Sequence, residues 1–246
     1  DPATGALRVA TAAGLDDMTI RVWDADTGGA LLVIKICVDA RYANPNSFVS
    51  TALEVFADPA TGAPRLVCAT TQYNDDYGHV RVYDPIAGGD TLVVIDVGSK
   101  VSALAFFMDP ATGAPRLACG CDDAKVRVFN PVAGGGALVV INVGSTVYSL
   151  AVFTDPATGA LRLACGCRRE VHIYDPVAGG ETLVVLKGHT NGVSMLTVFE
   201  DPATGGLRLA SGSDDSSVRI WDLAAGGAAL VVLEGHTSWI YALTAF

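Results

Sequence analysis

Charge is scarce in this 246-residue chain: Asp, Glu, Lys and Arg make up 17% of it, where a typical globular domain carries about 25%. Basic charge is scarcer still, with 16 Lys and Arg against 26 Asp and Glu and a formal net charge of −10. That balance argues against a nucleic-acid partner, because phosphate contact wants a basic surface. Long apolar runs are also missing: the longest, such as Ala228-Ala229-Leu230-Val231-Val232-Leu233, stop at strand length, far below the roughly 20 residues of a membrane-spanning helix. No segment keeps a helical period for three turns. What the chain does have is hydrophobic residues, half of the total, which excludes an intrinsically disordered class. It also has 27 Gly and 11 Pro, the punctuation of many turns between short strands. It begins at Asp1 without an initiator Met or a leader, so we expect a trimmed, mature or partial sequence whose start carries no address.

Four of the six cysteines sit in two identical triplets, Cys119-Gly120-Cys121 and Cys165-Gly166-Cys167. Zinc sites use wider gaps, and disulfide frameworks belong to small secreted domains. A one-residue gap in a strand puts both sulfurs on one face, which suits small apolar fillers in a reducing environment. An intracellular, cytoplasmic location is the resulting expectation. Neither a metal nor a cofactor is expected.

A repeat organises the chain. Asp-Pro-Ala-Thr-Gly begins at Asp1, Asp58, Asp109, Asp155 and Asp201, giving units 1–57, 58–108, 109–154, 155–200 and 201–246 within one domain. Periods of this size mark solenoids, propellers or arrays. Each unit runs through the same segments. The last reads as a turn, then Leu207–Ser213, Val218–Asp222, Ala229–Leu233 and Ile240–Phe246. Each is short, β-branched or alternating, and bounded by Gly, Asp or Pro, so each is predicted to be a strand. The sum is about twenty strands in an all-β chain.

These units resemble the WD-repeat β-propellers. Gly188-His189 and Gly235-His236 with Trp221-Asp222 carry the Gly-His to Trp-Asp signature of that family. Inner units relax it to Tyr83-Asp84, Phe129-Asn130 and Tyr174-Asp175. The resemblance implies a β-propeller of five four-stranded blades, the last one closed by N- and C-terminal strands. It also implies a buried network of His, Ser or Thr, Asp and Trp. One such set is His189, Ser211, Asp215 and Trp221; for His236 the matching residues are Thr11, Asp17 and Trp23. A buried imidazole and indole N–H need acceptors, which a hydroxyl and a carboxylate supply. Closure would remove two sheet edges. We expect it within a single ring, with exchange between two chains, a strand-exchanged oligomer, as the rival arrangement.

A Ser-His-Asp set also invites an enzymatic reading. Ser211 lies mid-strand without a Gly-x-Ser-x-Gly elbow, and Asp122-Asp123 and Asp214-Asp215 recur at turns, so no residue is assigned a catalytic role. The Asp24-Ala25-Asp26-Thr27-Gly28 stretch lacks the downstream Glu of a calcium loop.

Variation is uneven between the two ends of the blades. The Asp-Pro-Ala-Thr-Gly and Pro-Val-Ala-Gly-Gly turns hardly vary and fall on one face. Two insertions, Val38–Ser47 and Thr71–Gly78, fall on the other and carry Arg41, Tyr42, Asn44, Asn46, Tyr73, Asn74, Asp75, Asp76, Tyr77 and His79. Arg168, Arg169 and Trp239 share that face. Tyr, Trp and Arg there form a composition typical of recognition surfaces, although loop expansions also drift. The resemblance implies a non-catalytic protein–protein interaction scaffold that takes an unidentified protein or peptide, with Arg41, Tyr42, Tyr73, Tyr77, Arg168, Arg169 and Trp239 as candidate contacts. Two alternatives stay open: a carbohydrate-active or other enzyme with its site in the central channel, and an amplified or engineered propeller without an evolved partner.

Overall fold

The structure, a computed structural model, describes residues 4–13, 17, 19–36, 48–72 and 77–245. Its described secondary structure is all strand, in five antiparallel sheets taken in chain order. The first holds β1 (Arg8–Ala12), β2 (Thr19–Asp24) and β3 (Ala30–Lys35); the second β4 (Phe48–Ala57), β5 (Pro64–Gln72), β6 (Gly78–Tyr83) and β7 (Val93–Asp96). The third holds β8 (Val101–Met108), β9 (Pro115–Cys121), β10 (Lys125–Phe129) and β11 (Val139–Asn142). The fourth is β12 (Ser149–Thr154), β13 (Leu161–Gly166), β14 (Glu170–Tyr174) and β15 (Val184–Lys187). The fifth is β16 (Val193–Glu200), β17 (Leu207–Ser213), β18 (Val218–Asp222) and β19 (Val231–Leu233). Neighbours in sequence pair throughout, the meander of a propeller blade.

The repeated turn works by local chemistry. Asp58 Oδ1 accepts the N–H of Ala60 at 3.0 Å, and its carbonyl accepts Gly62 N–H at 2.7 Å. Gly62 has φ +70°, a conformation glycine adopts without steric cost. Arg65, seven residues after Asp58, then clamps the second carboxylate oxygen at 3.2 Å. Asp109–Arg116 at 3.1 Å, Asp155–Arg162 at 3.6 Å and Asp201–Arg208 at 3.6 Å repeat the clamp.

Sheets pack face to face, and four apolar clusters among the described residues each span two neighbours. Val67, Val80 and Ile95 of the second sheet meet Leu104, Leu117 and Phe129 of the third; Val126 and Ile141 of the third meet Leu163 and Tyr174 of the fourth. Phe153 and Ile173 of the fourth meet Leu209 and Trp221 of the fifth. Each fully buried aliphatic side chain contributes about 1.5–3 kcal/mol. The outer strands touch the next sheet's last turn: a Cβ on Gly134 would stand 3.1 Å from Val93, and one on Gly179 3.0 Å from Val139.

The glycine of Cys-Gly-Cys has a role beyond spacing two fillers. A Cβ on Gly120 would stand 2.7 Å from Val147, and one on Gly166 2.6 Å from the Val193 carbonyl oxygen. The inner strand of the following sheet thus approaches at a distance only glycine permits.

Two expectations change at the ends. The first sheet has three described strands rather than four. The predicted strand Ile240–Phe246 joins no ladder over 240–245, although Ile240 N–H donates to the Ser213 carbonyl at 3.2 Å and Ile240 packs on Ala210 and Val218. A strand exists only where a neighbour takes its backbone groups, and the sheet of matching register does not adjoin it here. The contact that links the other sheets is also missing: nothing lies within 4 Å of a Cβ built on Gly28. Leu233 is 52% exposed, where its counterparts Ile34, Ile95, Ile141 and Leu186 are 4%, 1%, 1% and 1% exposed.

Candidate functional site

His189 lies in the loop between β15 and β16; β17 brings it Ser211, the β17–β18 turn Asp215 and β18 Trp221. Trp221 Nε1–H donates to Ser211 Oγ at 2.8 Å. The Ser211 hydroxyl faces His189 Nε2 at 2.8 Å, and His189 Nδ1 lies 2.8 Å from Asp215 Oδ2. Burial pushes the His189 pKa down, and it prevails over the upward pull of Asp215. The neutral ring therefore donates from Nδ1 to the carboxylate and accepts at Nε2, so every partner has one role. Burial opposes ionisation of Asp215, but hydrogen bonds from the Ser217 hydroxyl, the Thr190 N–H and His189 outweigh it and hold the carboxyl well below the usual carboxylate range. These bonds join His189, Ser211, Asp215 and Trp221 into one connected set.

The distances match those of a catalytic triad, but access does not. Ser211 is 0% exposed, so no substrate carbonyl can approach its hydroxyl. The paired carboxylates are likewise engaged in the framework: Asp122 takes Lys100 at 3.1 Å and Ser102 at 2.8 Å, and Asp123 holds Arg127 through two bonds at 3.0 and 2.6 Å. A cavity of about 630 Å³ between the fourth and fifth sheets has Val152, Thr154 and Val198 in its wall, and its Arg208 is bound to Asp222 at 2.6 Å.

The second tetrad is half assembled. Trp23 Nε1–H donates to Thr11 Oγ1 at 2.8 Å, as in the buried set, and Thr19 Oγ1 bonds Asp17. His236 is exposed and does not join them in this chain. Arg21 occupies the remaining space, 3.5 Å from Asp17 and with its guanidinium carbon 5.9 Å from the Trp23 ring centroid.

Asp24 shows what the calcium-like stretch does: Oδ1 accepts the N–H groups of Asp26 and Thr27, and Oδ2 binds Arg8 at 3.1 Å. The described cysteines are buried thiols. Burial pushes Cys121 up to about 11 and Cys167 up to about 12, so both thiols are protonated at neutral pH. Among the described residues no cluster of three or more His, Cys, Asp or Glu side chains is gathered for a metal ion.

The strand order puts the loops between sheets and the β5–β6, β13–β14 and β17–β18 loops at one end of the blades. Tyr77, Arg168, Arg169 and Trp239 are exposed there. Arg168 and Arg169 make no ion pair among the described residues. Trp239 meets Tyr241, ring centroids 6.1 Å apart. Tyr241 and Tyr148 were missed by sequence reasoning. Tyr148 lies against Gly192, which holds the place of Trp239 one blade earlier. The signal for Tyr241 was its alternation with Trp239, hidden by assigning the segment to a strand. Arg41, Tyr42, Asn44, Asn46, Tyr73, Asn74, Asp75 and Asp76 lie outside the described residues.

Residues 180–222 match the family model of the WD domain, G-beta repeat, a span that contains the whole His189–Trp221 set. No curated protein matches the chain. Two solved structures share the fold: crystal structures of BBS1N in complex with ARL6DN, soaked with mercury and with lead. The first is 16% identical with a TM-score of 0.68, over 94% of this chain and 65% of that one. The second is 17% identical with a TM-score of 0.65, over 91% and 63%. The chain thus spans about two-thirds of the length of each, and the likeness is one of fold alone. With sheets that follow one another as blades, the chain is a β-propeller in which residues 180–222 match a WD repeat.

Proposed function

We propose that this propeller is a non-catalytic protein-interaction module and that its loop face, bearing Tyr77, Arg168, Arg169, Trp239 and Tyr241, takes a protein or peptide partner. The observation that carries the reading is the difference between the two ends of the blades. The turn face repeats one small Pro-Ala-Thr-Gly surface, and its Asp carboxylates are neutralised by Arg65, Arg116, Arg162 and Arg208. The loop face presents aromatic rings with exposures of 57% at Tyr77, 54% at Trp239 and 70% at Tyr241, with Arg168 and Arg169, which make no ion pair among the described residues, exposed on the same face. Large aromatic and Arg side chains dominate binding energy when a partner covers them. The partner-bound state of a similarly folded propeller, BBS1N with ARL6DN, is in keeping with a protein ligand.

The test is a double substitution, Tyr77→Ala with Trp239→Ala. Binding of an isolated partner should fall at least tenfold while the melting temperature stays within a few degrees, because exposed changes cost under about 0.5 kcal/mol. Unchanged affinity would refute the assignment of the face.

A further inference from the structure

The segment between the second and third strands carries two neighbouring acids in four of the five repeats: Asp16-Asp17, Asp75-Asp76, Asp122-Asp123 and Asp214-Asp215. In the fourth sheet the same place reads Arg168-Arg169. The sign is inverted there, in a chain whose formal net charge is −10. A further cation is stranded beside that turn. Glu170 of β14 pairs with Lys187 of β15, and their side chains meet at 3.4 Å. One step beyond that pair lie Arg169 on one strand and Gly188 on the other. The guanidinium of Arg219, from β18 of the fifth sheet, lies over Gly188: a Cβ there would stand 2.7 Å from Nη1 and 3.4 Å from Nε. Arg219 Nε is buried without a hydrogen-bond partner, and the side chain makes no ion pair among the described residues. The residue as a whole is only half-buried, so a ligand on the loop face can reach it.

The isolation of Arg219 has a cause in the repeat. Arg21 and Arg127 hold the same register position in the first and third sheets. Each takes the aspartate four residues before it, Asp17 at 3.5 Å and Asp123 at 2.6 Å. The aspartate four residues before Arg219 is Asp215. Its Oδ2 accepts from His189 Nδ1 at 2.8 Å and from the Thr190 N–H at 2.9 Å. Its Oδ1 accepts the Ser217 N–H at 2.9 Å and the Ser217 hydroxyl at 2.6 Å. The buried network consumes the counter-ion. A partly desolvated guanidinium without a partner is a costly state, and a carboxylate from outside relieves it. Two other acids stand nearby: Glu170 is held by His172 at 3.0 Å and by Lys187, and Asp214 faces Gly192 beside Tyr148.

We propose that this corner, where the fourth and fifth sheets meet on the loop face, binds an acidic segment of a partner protein. The segment is an extended peptide whose Asp or Glu side chains meet Arg219 at the Gly188 cleft and Arg168 and Arg169 on the adjoining turn. The inference rests on the loop face being the docking surface and adds the charge of what docks there. Arginine suits the task, because its planar fork takes both oxygens of a carboxylate. An extended anionic surface, such as a membrane, suits it less: it would face the whole molecule, and a net charge of −10 repels it everywhere but at this corner. A peptide meets the corner alone.

The test is selection from a random peptide display library on the full chain, followed by affinity measurements with the selected peptides. Wild type should enrich peptides rich in Asp and Glu. Arg168→Glu combined with Arg169→Glu changes two exposed turn positions, so the fold should persist while those peptides bind about tenfold or more weakly. Arg219→Gln should weaken the same peptides, and changing their carboxylates to amides should weaken binding to wild type. Selected peptides without an excess of acid overturn the proposal, as does an empty selection or an acidic peptide that binds the Arg168/Arg169 variant unchanged. Phosphatidylserine vesicles that carry wild type down on sedimentation, but not that variant, would also overturn it and make the corner a membrane contact. Should Arg219→Gln fail to fold, the turn variant decides alone. Failure of the wider docking face looks different. Acidic peptides that need Arg168 and Arg169 but not Tyr77 and Trp239 uphold the corner and confine the site to it. Peptides without acid that need Tyr77 and Trp239 uphold the face and remove the corner.

Discussion

Ile240 stands 2.7 Å from the point a Cβ on Gly212 would occupy, so the segment after the fifth sheet passes against β17 where only a glycine leaves room. The same approach recurs at Gly120 and Gly166, where Val147 and Val193 arrive from the next sheet. These glycines are the hinges on which consecutive blades nest.

The approach predicts a graded penalty. Gly166→Ala should destabilise by about 1–3 kcal/mol through overpacking, since its Cβ would meet the Val193 backbone oxygen and Ser149 Oγ. Gly212→Ala should cost less, because the obstacle is the side chain of Ile240, whose following residues join no strand ladder among the described residues. Urea unfolding of the two variants checks the order.

The tetrads predict unequal effects for one chemical change. Trp221→Phe keeps the apolar ring but removes the N–H that Ser211 accepts in a buried site, a loss of about 1–3 kcal/mol. Trp23→Phe removes the same bond to an exposed Thr11, which water replaces, and should cost less. Equal losses by thermal unfolding would show that burial of the network carries no weight.

Acid should weaken the fold in two stages. The His189 pKa is depressed from 6.5, so the unfolded chain takes up that proton first, and stability present above about pH 6.5 is lost as pH falls toward the folded value. Asp215 is depressed from 3.8, so its contribution is present above that value and is lost below it. His189→Asn should flatten the upper stage of the melting temperature profile and leave the lower stage in place.

Glu54 has the opposite sign. Burial pushes its pKa up from 4.5, against the N–H groups of Val55 and Phe106. Its neutral form is favoured in the fold, so a cost appears as pH rises past the folded value and is absent below about pH 4.5. Glu54→Gln should raise the melting temperature at pH 7 and match wild type at pH 4.

Much of this was legible in the sequence, and the boundary is physical. The Asp-Pro-Ala-Thr-Gly turn, its period and the His189–Trp221 spacing are local patterns, legible without knowing what lies across the sheet. The Arg clamp seven residues after each Asp was written in the same repeat and went unnoticed, because it needs a hairpin to fold the two together. The Cys-Gly-Cys triplets were read correctly as buried fillers, yet the need for Gly120 and Gly166 came from a strand in the next sheet. Residues 240–245 were read as a strand on good local grounds. Pattern sets which face a strand would bury, but only a neighbouring edge makes it a strand, and that edge is not adjacent in this chain. Tyr148 and Tyr241 were missed because exposure beside a loop follows from how the blades end.

The central claim is that the loop face, not the turn face, meets the partner. The direct measurement places a photo-crosslinking amino acid at positions 77, 168 and 239 in one set of proteins and at positions 60, 111 and 203 on the Asp-Pro-Ala-Thr-Gly turns in another. Each set is irradiated in extract of the source cells. The account predicts a shared adduct band from the first set and none from the second. Adducts from the turn positions alone, or equally from both sets, would contradict it.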